Sequence, residues 1–329
     1  MSQGACGHTS PHHYLSGYVR MGSPVERGSA WADDQLVEKG PVSAPRASVV
    51  IALYNGESTI GEQLDALSSQ TCTEFEVVVA DNGSTDKGPA IVKGHSVGAR
   101  LVDASERRGQ SHARNVGASA ARSEKLLFCD QDDVADRRWV AALTDALDDW
   151  HLVGGLCEVR TLNGPRAGWR PQPVRPDLGL PLRAASGSNM GIRRRVLYEL
   201  GGWPEDYIGG GEDNALCWRA RLNGFTLGYR EDAVMHYRYR SDLWSHTRQQ
   251  YQYGRQTARL RAAFPEMDPS TVVPFYRSAG WLALHVHLLL SQRTSGWWLT
   301  IAGRALGGAI GARSPLPGRA LRGDRSPDK

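Results

Sequence analysis

Residues 47–64 read ASVVIALYNGESTIGEQL, and this stretch decides the fold class. Ala47–Leu53 is a short apolar run rich in β-branched residues, the pattern of a strand buried on both faces. Tyr54, Asn55 and Gly56 end it with turn chemistry. Thr59 and Glu62 stand at T-x-x-E spacing, which predicts a capping box at a helix N-terminus. Ile60, Leu64 and Leu67 then recur at i, i+4 and i+7 and mark one apolar helix face. A buried strand running into an amphipathic helix is the first half of a βαβ unit.

The same alternation continues downstream. Phe75–Ala80 (FEVVVA) reads as a second buried strand, Arg100–Asp103 as a third and Lys125–Cys129 (KLLFC) as a fourth. Between them Ser111–Ala121 is Ala-rich and helical, and Val140, Leu143 and Leu147 mark a further helix. Strands alternating with helices at short intervals predict an α/β fold, a mostly parallel sheet with helices on both faces. Ligands of such sheets bind beyond the carboxyl ends of the strands, so polar residues just after strands are the place to look.

Three segments are expected. Residues 1–43 are rich in Gly, Ser, His and Pro without periodicity and read as a disordered extension; residues 44–240 form the α/β domain; residues 241–329 form a helical extension with a basic tail. The tail carries Arg313, Arg319, Arg322, Arg325 and Lys329 against Asp324 and Asp328. Such a run is either a solvated tail or a segment drawn to anionic lipid headgroups.

Composition narrows the function classes. The chain is 40% apolar and 22% charged, which suits a substantial core, and its formal net charge of +4 is mild. No dense Lys/Arg block or nucleic-acid motif is present, so no nucleic-acid partner is expected. Cys6, Cys72, Cys129, Cys157 and Cys217 are odd in number and irregular in spacing. They suggest neither a disulfide framework nor a zinc site, but reduced thiols in a cytoplasmic protein. The N-terminus lacks the apolar stretch of a signal peptide. Trp281–Leu290 is too short to span a bilayer. With Gly296–Ala312, which holds Trp297 and Trp298, it either packs on the domain or makes peripheral contact with the inner face of the cell membrane.

Four polar clusters follow or flank these elements. Asp130-Gln131-Asp132-Asp133 comes directly after KLLFC, where carboxylates repel one another unless a cation lies among them. Mg²⁺ or Mn²⁺ takes such oxygen ligands together with substrate phosphates. Asp81-Asn82-Gly83-Ser84-Thr85-Asp86 follows FEVVVA and offers either hydrogen bonds to a base or ribose or an ordinary turn. Gly211-Glu212-Asp213 precedes a helical stretch, where a carboxylate serves either as a cap or as general base to an acceptor hydroxyl. His236, followed by Tyr-Arg-Tyr-Arg, is either structural or a metal ligand. No G-x-G-x-x-G, Walker A loop or G-x-S-x-G elbow is present.

In order and spacing these clusters resemble the family 2 glycosyltransferases, which have the GT-A fold. Val49–Asn55 is similar to that family's opening strand and Tyr-Asn, and Ser69-Gln70-Thr71 to its S-Q-T. Asp81–Asp86 resembles its D-D/N-G-S-T-D, and Gly109, Ala113, Arg114, Asn115 and Gly117 its G-x-x-x-A-R-N-x-G. Cys129–Asp133 resembles its L-D-x-D-D. Gly187, Asn189 and Met190, then Gly201-Gly202-Trp203, resemble its G-x-N-M and following G-G-F/W. Glu212-Asp213 matches its E-D and His236 its late His. The resemblance covers about residues 47–240.

It implies an inverting enzyme that moves a sugar from a nucleotide-diphosphate donor, of UDP or dTDP type, to an acceptor hydroxyl that the sequence does not identify. The donor would be held by Ala52, Tyr54, Asp81, Asn82, Arg114, Asp130 and Asn189. Asp132, Asp130 and His236 would ligate Mg²⁺ or Mn²⁺. Asp213 would be the catalytic base, with Glu212 as second candidate. Asn82 stands where many relatives carry Asp, which leaves the choice of base open, and Cys129 replaces the usual Leu. The Q-x-x-R-W of processive synthases is absent, Arg248-Gln249-Gln250-Tyr251 standing roughly in its place, which implies single additions. Two alternatives are a sugar nucleotidyltransferase, which would want a Gly-rich loop after the first strand, and an inactive nucleotide-sugar-binding protein.

Overall fold

The computed structural model describes residues 44–169, 184–267 and 275–312. Its first half alternates as predicted: β1 (Ala47–Leu53), α1 (Ile60–Ser68), β2 (Phe75–Asp81), α2 (Gly88–Gly94), β3 (Arg100–Asp103), α3 (Gln110–Ala120) and β4 (Lys125–Asp130). There follow β5 (Val134–Ala135), α4 (Trp139–Ala146), β6 (Leu152–Glu158), β7 (Asn189–Arg193), α5 (Arg194–Glu199), α6 (Glu212–Leu222) and β8 (Leu227–His236). The chain then becomes helical through α7 (Leu243–Ala263), α8 (Phe275–Leu284) and α9 (Gln292–Gly311). The expected N-terminal extension 1–43 and the basic residues from Arg313 onward lie outside the described residues.

The strands form one sheet in the order β3-β2-β1-β4-β7-β6-β8-β5. β1 pairs in parallel with β2 and β4, and β2 with β3. β7 runs antiparallel between β4 and β6, and β5 antiparallel to β8, so the mostly parallel sheet is mixed in its second half. The four parallel strands deliver the ends of β1, β2 and β4 to one edge.

Period-2 alternation makes two cores from one sheet. Val49, Ile51, Leu127 and Cys129 face α1 and α4, where Leu64, Leu67, Trp139 and Leu143 bury them. Val50, Leu126 and Phe128 face the other way, among Trp203, Leu216 and Trp218. Leu260 and Phe264, in and just after α7, join that second cluster, which ties the C-terminal helices to the sheet domain. α3 lies so close to β1 that a Cβ on Gly117 would stand 2.5 Å from Val50 Cγ1. Deeper in the C-terminal helices, His246 is fully buried, its Nε2 2.7 Å from Thr300 Oγ1 on α9.

The predicted capping box does not form. Thr59 makes no side-chain cap bond at α1, and Glu62 is drawn instead to the Arg238 guanidinium. An opposite charge beyond β8 outcompetes a local backbone amide. Gln70 of the S-Q-T run holds neighbouring segments together, donating to the Ala66 and Asp136 carbonyls and accepting from the Val140 amide.

Candidate active site

The loops after β1, β2 and β4 are tied to one another. Gln131 Oε1 accepts from the Tyr54 amide at 2.8 Å while its Nε2 donates to the Tyr54 carbonyl at 3.1 Å. Asn55 has φ 49°, left-handed, where Asn is tolerated better than most residues. In that conformation its amide donates to Ser84 Oγ and its Oδ1 accepts from the Thr85 amide. Asp81 Oδ1 accepts from the Ser84 amide, three residues on, at 2.9 Å. The strand ends thus form a stitched rim.

A cavity of about 480 Å³ opens at this rim, lined by Ala52, Tyr54, Asn82, Asp130 and Asp132 from the predicted set. Arg108, Gln110, Gln131, Tyr237, Arg240, Gln249 and Tyr253 also line it. The Arg108 guanidinium lies 4.8 Å from the centre of the Tyr54 ring, a cation–π contact. Asn82 shapes the wall with its side chain already committed: Nδ2 donates to the Ala104 and Arg107 carbonyls, and Oδ1 accepts from the Gly109 amide.

Beneath the cavity lies Arg114, buried, with its guanidinium 4.5 Å from the Trp203 ring. Its Nη2 donates to Asp130 Oδ1 at 2.8 Å and its Nη1 to Glu212 Oε1 at 3.1 Å. Burial alone would weaken this cation, but Asp130 and Glu212 outweigh it and hold it firmly charged. Glu212 is in turn raised to about 7 by burial and by Asp213, with Arg114 opposing. Asp213 sits beside it in the first turn of α6, behind Gly211, whose φ of 92° sets the turn into the helix. It does not cap the helix through an amide further along; Oδ1 accepts from Asn214 and Oδ2 from the Gly187 amide at 3.2 Å.

The acidic cluster after β4 divides by burial. Asp133 is inside, its Oδ1 accepting from the Arg238 amide at 2.8 Å and its Oδ2 without a partner among the described residues. Its carboxyl is pushed well above the usual range by burial and then by Asp132 and Asp130. Asp132 is raised by burial and by Asp130, with Arg240 Nη1 opposing from 3.3 Å. Asp130 also accepts from Gln110 Nε2 at 2.6 Å. Two neighbouring carboxylates that line one cavity, Asp130 and Asp132, suit a hard divalent cation.

His236 stands apart from them. Its Nδ1 lies 3.0 Å from Glu158 Oε2, in register across β6 and β8. Burial opposes ionisation of Glu158, but bonds from His236, Thr161 and Arg160 outweigh it and hold the carboxyl at about 2. His236 is not among the cavity-lining residues. Among the described residues no group of three His, Cys, Asp or Glu side chains converges to hold a metal ion. Arg114 and Gln110 draw Asp130, Arg240 draws Asp132 and Glu158 draws His236, so the expected triad of Asp130, Asp132 and His236 is not assembled in this arrangement.

Asn189 is corrected. Expected to touch the donor, it is fully buried in β7. Its Oδ1 accepts from Trp139 Nε1 at 2.8 Å, and its Nδ2 donates to the Leu156 and Ala233 carbonyls. With these partners made, its role is to join α4, β6 and β8. Tyr237 and Arg240 were signalled by the Tyr-Arg-Tyr-Arg run and Gln249 by the Arg-Gln-Gln-Tyr run, but neither pattern says that β8 and α7 bring them to the rim of β1 and β4.

The glycosyl transferase family 2 model matches residues 48–201. The glycosyltransferase AglE of Haloferax volcanii is 28% identical over 203 residues, 58% of this chain and 66% of AglE. The Staphylococcus aureus poly(ribitol-phosphate) β-N-acetylglucosaminyltransferase TarS is 34% identical over 122 residues, 36% of this chain and 21% of TarS. The fold is similar to that of a mannosyltransferase of Pyrobaculum calidifontis solved with GDP-Man and Mn²⁺, at TM-score 0.57 and 22% identity, covering 84% of this chain and 89% of that one. The matched segment carries the stitched loops, Arg114 and the acidic cluster, and over that segment the chain is similar to glycosyl transferase family 2.

Proposed function

We propose that this chain transfers single sugars from a nucleoside-diphosphate donor to an acceptor hydroxyl, with inversion at the anomeric carbon. One observation carries the reading. Buried Arg114 bridges Asp130, at the cavity, to Glu212, which adjoins Asp213 at the head of α6. A donor-side carboxylate and the immediate neighbour of the assigned base are thereby held one guanidinium apart, although they are far separated in sequence. Inversion needs a single in-line displacement, with a base on the face opposite the departing diphosphate, and Asp213 is assigned that role. Glu212 is the poorer candidate because its carboxyl is buried against Arg114.

Ala52, Tyr54 and Asn82 are assigned to the nucleoside, of UDP or dTDP type. Asp130 and Asp132 are assigned to Mg²⁺ or Mn²⁺, whose charge would offset that of the leaving diphosphate. The P. calidifontis enzyme carries Mn²⁺ in its complex, which supports a cation here. For His236 to join Asp130 and Asp132 it would have to approach them, since it is paired with Glu158 and lies outside the cavity lining.

Peripheral membrane contact belongs to the same proposal. No helix among the described residues is long and apolar enough to cross a membrane. Leu284, Val286 and Leu290 are nevertheless exposed around the turn between α8 and α9, close in sequence to Trp281, which lies 5.5 Å from Trp297. The catalytic reading is tested by thermal shift against UDP-, dTDP- and GDP-sugars with Mn²⁺, followed by turnover with and without metal. Stabilisation without any transfer or hydrolysis would identify a binding protein; nucleotide-sugar synthesis from a sugar phosphate would identify a nucleotidyltransferase.

A further inference from the structure

The arginines around the acidic cluster are held very differently. Arg114 is buried and paired to both Asp130 and Glu212. Arg238 is fixed by the Asp132 carbonyl and by Glu62. Arg240, which lines the cavity, accepts from Arg166 through its backbone carbonyl, but its side chain makes one ion pair among the described residues, Nη1 to Asp132 Oδ2 at 3.3 Å, and is 52% exposed. It thus occupies the carboxylate assigned above to a divalent cation, by an ion pair of the weak, exchangeable kind.

We propose that Arg240 is a place-holding cation: it neutralises Asp132 in the substrate-free protein and exchanges Asp132 for the donor's diphosphate when the loaded donor enters. The inference rests on the assignment of Asp130 and Asp132 to a cation under the proposed function. Three physical points support it. A guanidinium and a divalent cation repel each other and compete for one carboxylate. A planar guanidinium presents paired N–H donors that match phosphate oxygens. The Arg240 guanidinium already lies in the same cavity as Asp130 and Asp132, half-exposed and with no second ion pair among the described residues, so the exchange breaks one long contact. Cation and diphosphate binding are then coupled: each removes what opposes the other, and the coupling is reciprocal. During transfer, the same arginine would stabilise the charge that develops on the departing diphosphate.

The test uses the full chain, with Mn²⁺ and inorganic pyrophosphate as probes and no sugar donor. Free Mn²⁺ is followed by electron paramagnetic resonance, and pyrophosphate affinity by calorimetry, for wild type, Arg240→Gln and Arg240→Lys. Arg240→Gln is expected to bind Mn²⁺ alone about two- to fivefold more tightly, the range set by a partly exposed ion pair. At saturating Mn²⁺ it should bind pyrophosphate about tenfold or more weakly, since a charge-assisted pair of bonds is lost. Arg240→Lys keeps the charge but not the fork, so it should match wild type for Mn²⁺ alone and fall between the two for pyrophosphate. Unchanged pyrophosphate affinity in Arg240→Gln, or weaker Mn²⁺ binding by the free variant, overturns the proposal. So does the absence of Mn²⁺ binding by wild type with pyrophosphate present. A protein that shows the coupling yet turns over no nucleotide sugar sinks the proposed activity and leaves the role of Arg240 standing.

Discussion

Arg114 and Glu212 meet across 98 positions of sequence, Nη1 3.1 Å from Oε1, in a buried setting. The other arm of Arg114 reaches Asp130, and Trp203 covers the guanidinium face. Such a pair is costly to break from one side, because the surviving charge is left buried without its partner. Arg114→Ala is expected to lose stability on the order of 3–5 kcal/mol. Arg114→Lys should recover part of it, since the charge is kept and the fork is lost. Chemical denaturation measures both, and an Arg114→Ala protein as stable as wild type would remove the bridge from the account.

The raised carboxyl of Glu212 has a pH consequence. Burial, then Asp213, lift it from an ordinary 4.5 to about 7. The folded protein therefore holds a proton that the unfolded chain releases, and the stability this supplies is full below about 4.5 and lost as pH rises through 7. Glu212→Gln imitates the protonated form at every pH. Its Tm should gain on wild type steadily between pH 5 and pH 8, by scanning calorimetry at about matched ionic strength. A constant difference across that window refutes the shift.

Asp213→Asn isolates the assigned base. An acceptor hydroxyl is a poor nucleophile at neutral pH, and general-base help is worth about 10²–10⁴-fold. The variant should lose kcat by that order while nucleotide affinity hardly changes, and Glu212→Gln should lose less. Normal turnover in Asp213→Asn moves the base elsewhere, and a product that keeps the donor's anomeric configuration by proton NMR ends the inverting mechanism.

Asp132→Asn addresses the cation. It should lower turnover at least about a hundredfold, at 1.36 kcal/mol of transition-state stabilisation per decade. Wild type in excess EDTA should fall comparably and recover with Mn²⁺ or Mg²⁺. Full activity in EDTA would leave Asp130 and Asp132 without their assigned role.

Asn189→Ala separates structure from binding. It strands Trp139 Nε1 and the Leu156 and Ala233 carbonyls in the interior. Each buried group left unpaired costs about 1–3 kcal/mol, so the loss should be on the order of 3 kcal/mol with nucleotide affinity of the folded protein unchanged. Weakened nucleotide binding at unchanged stability would return Asn189 to the donor site.

Membrane contact is read by co-sedimentation of the full chain with anionic vesicles. Binding should weaken at high salt and on Leu284→Asp with Leu290→Asp, which place charge on two exposed apolar positions. Equal sedimentation of variant and wild type counts against this surface.

The parallel half of the sheet was legible in the sequence because each of its features is local. A strand buried on both faces must be an unbroken apolar run, as Val49–Leu53 and Val77–Ala80 are, and the polar residues beyond such runs must lie at the sheet's carboxyl edge. Asp130 and Asp132 could therefore be named from KLLFCDQDD alone. What only the tertiary structure decided depends on competition between groups distant in sequence. Glu62 was free, by sequence, to cap α1; an arginine beyond β8 took it. Asn189 looked like a ligand residue until burial showed its amide joining α4, β6 and β8. Arg114, Asp130 and Glu212 come together because α3, β4 and α6 converge under the cavity. A buried polar group must find a partner, spacing along the chain does not say which one, and only the packing of these elements does.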